Sequence, residues 1–155
     1  MQPHEWTTND FKGDPGIDYC HDKLLFANSL HTLPERMIGA RMRFGLAIYC
    51  RQGTALITVD GLQYRLKQGQ RLSYQGGSLI EECLASSDAD LVLMGLSCEL
   101  IGATEALNTV GWSIADYVHQ SPIYTLSEEA LSLTKIYHQQ IYKLCHSPNP
   151  LFRDE

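Results

Sequence analysis

The chain has 155 residues, 44% hydrophobic and 19% charged, enough for one globular domain that buries roughly two-thirds of its unfolded surface without staples. A net charge of −6 with no Lys/Arg block makes this chain, by itself, a poor nucleic-acid binder, because phosphate backbones demand a basic footprint. The longest apolar run, Leu91–Leu96, is far short of the roughly 20 residues a membrane helix needs, and the N-terminus lacks the basic and apolar regions of a secretory signal, so the expected location is cytoplasmic.

Residues 1–22 form a polar, turn-rich arm with an explicit turn at Asp14-Pro15-Gly16, expected to be loosely attached or packed outside the main body. Residues 23–98 then read as short strands. Lys23–Leu30 is the first, broken at Leu33-Pro34. Met42–Cys50 is the second, with a β-branched and aromatic C-terminal half, turned by Arg51-Gln52-Gly53. Ala55–Val59 leads into Asp60-Gly61, a strong two-residue hairpin signal because a type I′ turn needs positive φ twice. Leu62–Lys67 alternates apolar and polar residues, the mark of an antiparallel strand over a core. Gln68-Gly69 turns again, Gln70–Tyr74 is extended, and Gly76-Gly77 turns into Leu79–Leu84. After the polar turn at Ser86–Asp90 comes Leu91–Cys98, a buried strand. Short strands at spacings of about 8–12 residues indicate a sandwich or small barrel.

Beyond Cys98 the apolar period lengthens from two to about 3.6, so residues 99–150 are expected to be helical. Leu100, Ala103, Leu107 and Val110 lie on one helix face, with Ser97 as N-cap and Gly111 as stop, and Ser113–Gln120 reads as a second short helix. Thr125-Leu-Ser-Glu128 is a capping box that opens a helix over 126–146. Leu126, Ala130, Leu133, Tyr137, Ile141 and Leu144 share one face of it, and Ile136 widens the stripe. Against a finished barrel such a face has few partners besides a second copy of itself. Leu133, Ile136, Tyr137, Ile141 and Leu144 are therefore the expected homodimer interface, and residues 151–155 are a tail.

The turns also fix a frame. Ile48-Tyr-Cys-Arg-Gln-Gly53, Val59-Asp-Gly61 and Leu66-Lys-Gln-Gly69 resemble the cupin pattern of strands closed by glycine turns. The second cupin motif, G-x5-P-x-G-x2-H, falls on Gly69, Gln75, Gly77 and Ile80, with Ile80 where the metal-binding histidine stands. The first motif's HxH pair and Glu would fall within residues 39–46, which hold no His or Glu. The chain thus resembles a metal-free cupin, with no cofactor expected. The barrel followed by a capped helix and the exit Ser147-Pro-Asn-Pro150 looks like the N-terminal effector and dimerisation domain of AraC-family bacterial transcription regulators. The resemblance spans roughly Leu24 to Pro150. It implies a mostly β fold, a cupin-type double-stranded β-helix followed by C-terminal α-helices, that senses a small-molecule effector. DNA would be contacted only through a domain absent from this chain, either because the chain is cut from a longer regulator or because it is a naturally short relative. The alternative is a stand-alone metal-free cupin enzyme, an isomerase or epimerase acting on a sugar or small acid.

Candidate ligand contacts follow from strand parity. With Ile80 facing inward, Glu82 shares its face; along 42–50, Met42, Phe44, Leu46, Ile48 and Cys50 face inward and Arg43, Ala47 and Tyr49 outward, unless a one-residue slip or a bulge reverses the set. Arg41 and Arg43 are either solvated edge residues or a fork for carboxylate or sugar hydroxyls at the barrel mouth. Tyr64 and Tyr74 either pack with the apolar set or line a site. Arg41, Arg43, Phe44, Tyr64, Tyr74, Ile80 and Glu82 are the candidate ligand-binding residues. Adjacent strand residues point to opposite faces, so Glu81-Glu82 is not a catalytic carboxylate pair, and no nucleophile motif is present; no enzymatic activity is expected. The five cysteines are odd in number and lack a CxxC spacing, which suits reduced structural thiols.

Overall fold

A computed structural model describes residues 3–20, 24–74, 76–97 and 123–128, with the isolated positions 132, 136 and 139. The described chain is mostly β. Its strands are β1 (His4–Trp6), β2 (Asp18–Cys20), β3 (Leu24–Leu30), β4 (Ala40–Met42), β5 (Gly45–Gln52), β6 (Thr54–Val59), β7 (Leu62–Lys67), β8 (Gln70–Tyr74), β9 (Ser78–Ala85), β10 (Asp90–Leu96) and β11 (Ile123–Thr125). One sheet has the order β1-β4-β9-β6-β7 and the other β11-β8-β5-β10-β3-β2. From β3 to β10 each strand enters the sheet opposite its predecessor, except within the β6–β7 hairpin. This eight-strand wrapping of two antiparallel four-strand sheets is a jelly roll.

The turn chemistry positions the strands. Asp60 and Gly61 take φ of +49° and +82°, as the hairpin requires, and β6 and β7 pair in register from Val59–Leu62 to Thr54–Lys67. Between the sheets lies one core that includes Met37, Met42, Phe44, Ile48, Ile57, Leu66, Leu72, Ile80 and Leu91. A second apolar cluster, Phe26 and Val92 with Leu24 and Tyr49, sits on the outer face of the β3–β10–β5 sheet. Strand β10 is therefore apolar on both faces, which is why it reads as a continuous apolar run without alternation.

Three expectations need correction or extension. Met42–Cys50 is not one strand: β4 ends at Met42 and β5 begins at Gly45, in different sheets, with Arg43 and Phe44 forming the corner. A two-residue corner preserves side-chain alternation, so the inward set Met42, Phe44, Leu46, Ile48 and Cys50 is still buried as parity required. Glu82 does not share the inward face of Ile80. Val59 pairs with Ile80 but Thr58 pairs with Glu82, so Glu81 is an extra residue on β9, a bulge that reverses parity. Glu82 is consequently exposed and Cys83 packs against the core instead. Finally, the arm lies deeper than its polar composition suggested. Strand β1 adds in parallel to β4, β2 adds to β3, and Phe11 is wholly buried in the main core.

Strand β11 was not apparent from sequence. It adds to β8, the Thr125 hydroxyl accepts a hydrogen bond from Gln70 Nε2 at 3.0 Å, and Leu126 is buried with its amide donating to the Gly69 carbonyl. Glu128, Ser132, Ile136 and Gln139 have helical backbone, and Ile136 is 49% exposed. Residues 98–111 and 113–120, where the two shorter helices are expected, and Leu133, Tyr137, Ile141 and Leu144 of the expected interface, lie outside the described residues.

Candidate functional site

The resemblance to cupins puts a metal, where one is held, against the inner wall. Ala40 and Ile80 face each other across β4 and β9, Met42 lies opposite Ser78, and Leu46 lies opposite Tyr74. Ala40, Met42, Leu46 and Ile80 are all buried. Together they present three hydrocarbon side chains and one thioether. A divalent ion needs three or four converging N, O or S donors, so this set does not fit one. Among the described residues no three His, Cys, Asp or Glu side chains converge elsewhere.

The depth of the barrel is filled by side chains. The Phe44 ring stands edge-on to that of Phe11, with centroids 5.8 Å apart, and lies directly under Gly95. Phe44 is thus a core residue closing the barrel from within.

Polar chemistry gathers at one end, where the β6–β7 turn, the β8–β9 turn and the β4–β5 corner meet. Tyr64 on β7 and Tyr74 on β8 occupy inward positions and meet edge-on, with centroids 6.0 Å apart. Both are half-buried and packed against the core. The Tyr74 phenol is pushed far above its ordinary range, first by burial, then by a hydrogen bond with Tyr64, with the charges of Tyr64 and Asp60 adding to the effect. It is therefore a neutral hydroxyl at any physiological pH. On the same strand face as Tyr64, Leu62 stands at the rim and is 61% exposed. The rim carries the charges. Asp60 Oδ1 accepts from the Leu79 amide at 2.9 Å, the Asp60 amide donates to the Leu79 carbonyl at 2.9 Å, and Arg41 Nη1 lies 4.0 Å from Asp60 Oδ1. Arg41 also donates to the Gly77 carbonyl, and the bulged Glu81 accepts from the Gly61 amide at 2.6 Å.

Of the residues expected at the site, Tyr64 and Tyr74 meet each other on the inner face, with Ile80 in the wall and Phe44 deeper in the core; Arg41, outward between the buried Ala40 and Met42, reaches only the rim at Asp60 and Gly77. Arg43 and Glu82 do not join them. Arg43 is exposed on the outside, where its guanidinium meets Glu5 of the arm at 2.5 Å and its amide donates to the Trp6 carbonyl. Asp60, legible in the sequence as a turn residue, also accepts from the neighbouring strand at Leu79.

A second constellation, not anticipated, fixes the arm beside the barrel. The Arg36 guanidinium lies 4.2 Å from the Trp6 ring centroid and 4.6 Å from that of Phe11, and it grips both Asp14 oxygens at 2.7–2.8 Å. Trp6 Nε1 donates to the Arg36 carbonyl at 2.9 Å.

No family model and no curated protein sequence matches the chain. Solved structures similar to it include the EutQ protein of Clostridium difficile, at 17% identity and a TM-score of 0.33, with 57% of this chain and 63% of that chain covered. The cupin domain of Schizosaccharomyces pombe Cnp3 is similar at 11% identity and a TM-score of 0.34, covering 54% and 59%. Oxalate decarboxylase from Bacillus subtilis is similar at 15% and 0.32, covering 50% of this chain and 22% of that one. The chain thus spans less than two-thirds of the length of each of these structures. The likeness is one of fold, and the strand order above stands independently of it.

Proposed function

We propose that this chain is a binding module that receives a small polar molecule at the Tyr64/Tyr74 mouth. In this reading it is the effector-sensing and dimerisation domain of an AraC-type regulator. The observation that supports it most is the division of chemistry along the barrel. The inner wall at Ala40, Met42, Leu46 and Ile80 is hydrocarbon and thioether, while two tyrosine hydroxyls and the Arg41–Asp60 pair stand at the open end beside an exposed leucine. Pockets that bind without chemistry combine an apolar lining with a few orienting polar groups. Catalysis finds less support, since the carboxylate expected to face inward, Glu82, faces out.

Sensing requires that the ligand bind two packings differently. Two attachments near the barrel are suited to such a change: the arm held by Arg36, and the C-terminal segment joined through β11 and Leu126. Dimerisation is assigned to the stripe of residues 126–146, and DNA contact to a domain outside this chain.

The test is thermal denaturation in the presence of a panel of monosaccharides and small carboxylates. A cognate ligand at 100 times its Kd stabilises by about 2.7 kcal/mol, or roughly 5–11 °C for a domain of this size. The gain should fall sharply in Tyr64→Phe and Tyr74→Phe. A ligand whose stabilisation is untouched by both substitutions would place the site elsewhere. For the dimer, Leu133→Arg should reduce the sedimenting mass to that of a monomer.

A further inference from the structure

The two sheets differ on their outer faces. On the β3–β10–β5 sheet, Phe26 and Val92 point away from the main core and are nonetheless 0% and 1% exposed. On the other sheet the outer face is open. Because of the Glu81 bulge, the row Leu84–Leu56–Arg65 crosses β9, β6 and β7 on that face, next to the row Glu82–Thr58–Gln63. Leu84 is 56% exposed there, beside the half-buried Leu56.

The charges on this face are sorted by strand. Glu82 stands on the β9 side, and Arg65 and Lys67 stand on the β7 side, all exposed. None of these three side chains forms an ion pair with another described residue; the described ion pairs join Arg36 to Asp14, Arg41 to Asp60, Arg43 to Glu5 and Arg51 to Asp90. An apolar centre with acid on one flank and base on the other is complementary to itself. A two-fold axis running along β6 lays the β9 flank of one copy on the β7 flank of the other. Leu56 then meets Leu56 at the axis, each Leu84 lies on the aliphatic stem of the partner's Arg65, and each Glu82 comes over the basic β7 flank of the other copy. Glu82 and Arg65 lie one outward row apart, about 7 Å along the strand, which long side chains span. Isologous contacts of this kind need one patch that complements its own rotated image.

We propose that the outer face of the β9–β6–β7 sheet is a self-association surface whose occupant is a second copy of this chain. It is distinct from the helical stripe assigned to dimerisation above. The three strands measure about 14 Å across and 20 Å along, or about 300 Å² of flat area, against roughly 800 Å² per partner for a standard stable interface. The association is therefore weak, with a Kd in the upper micromolar range, and it couples dimers formed elsewhere when the local concentration is high.

The experiment is sedimentation equilibrium of the intact chain from about 10 µM to 1 mM, in wild type and in Leu133→Arg, which isolates this face from the helical stripe. Leu84→Lys, which sets a cation against the partner's Arg65, and Arg65→Glu should each weaken the association by about tenfold or more, and Glu82→Arg combined with Arg65→Glu should restore it. Circular dichroism and melting temperature confirm folding of these surface variants. A Leu133→Arg chain that stays monomeric to 1 mM overturns the proposal and leaves the face to a different protein or to solvent. Single variants that associate like their parent, or a charge swap that restores nothing, overturn it as well.

Discussion

Whether the barrel interior is filled or hollow turns on Phe44, and Gly95→Ala reads that directly. Gly95 sits on the inner face of β10, opposite Leu46 and Leu25. A Cβ added there falls 2.8 and 2.9 Å from two carbons of the Phe44 ring and 3.3 Å from Leu25 Cβ. Comfortable carbon contacts lie at about 3.5–4.0 Å, so the ring must retreat by about 0.7 Å. It has little room, being 1% exposed and backed by Phe11. Overpacking of this kind costs about 1–3 kcal/mol. A mid-range loss of about 2 kcal/mol lowers the melting temperature of a domain this size by about 6 °C. The same methyl in a Phe44→Leu background meets a smaller side chain, so the double-mutant cycle should show favourable coupling of about 1 kcal/mol or more. Urea unfolding of the four variants measures it. A Gly95→Ala penalty below about 0.5 kcal/mol, or one equal in both backgrounds, would refute the filled interior and reopen it as ligand space.

The remaining predictions concern charge. Arg51 chiefly, with a smaller contribution from Ser29 and against the opposing effect of burial, holds the Asp90 carboxyl below its usual range. A depressed acid stabilises the fold above its unfolded pKa of about 3.9 and loses that contribution as pH falls through its lower folded value. The penalty of Asp90→Asn in urea should therefore be smaller at pH 3 than at pH 7, and a pH-independent penalty contradicts the pairing. Tyr74 has the opposite sign: its raised pKa stabilises the fold below about pH 10 and costs stability above it, so Tyr74→Phe should flatten the alkaline loss measured by denaturation between pH 9 and 11. Arg36→Met removes the Asp14 pair and both ring contacts. Amide exchange in β1 should then rise about tenfold while the β5 and β10 amides keep their protection; unchanged β1 exchange would mean that the arm is held by its ladder with β4 alone.

What the sequence made legible is what short-range chemistry encodes. The Asp60-Gly61 hairpin and the alternation of Leu62–Lys67 need only neighbours a few residues apart, and the observed ladder follows them. The corner at Arg43-Phe44 leaves no local signal because it carries no turn residue and keeps parity intact, so a strand that changes sheets looks like one that does not. The Glu81 bulge is silent for the converse reason: one extra residue leaves no mark in composition, yet it moves Glu82 from wall to surface and sets Leu84 beside Leu56 outside. The arm's grip depends on contacts such as Arg36 with Asp14 and Arg43 with Glu5, separated by 22 and 38 residues, which local pattern cannot pair. Asp60 joins both classes. The positive φ that makes it legible as a turn also aims its carboxylate at the Leu79 amide and toward Arg41. At this mouth the residue that closes the hairpin is one of those that charge the rim, so a substitution such as Asp60→Asn, which hairpin geometry tolerates, should leave the fold standing while removing the anion beside Arg41 and Tyr74.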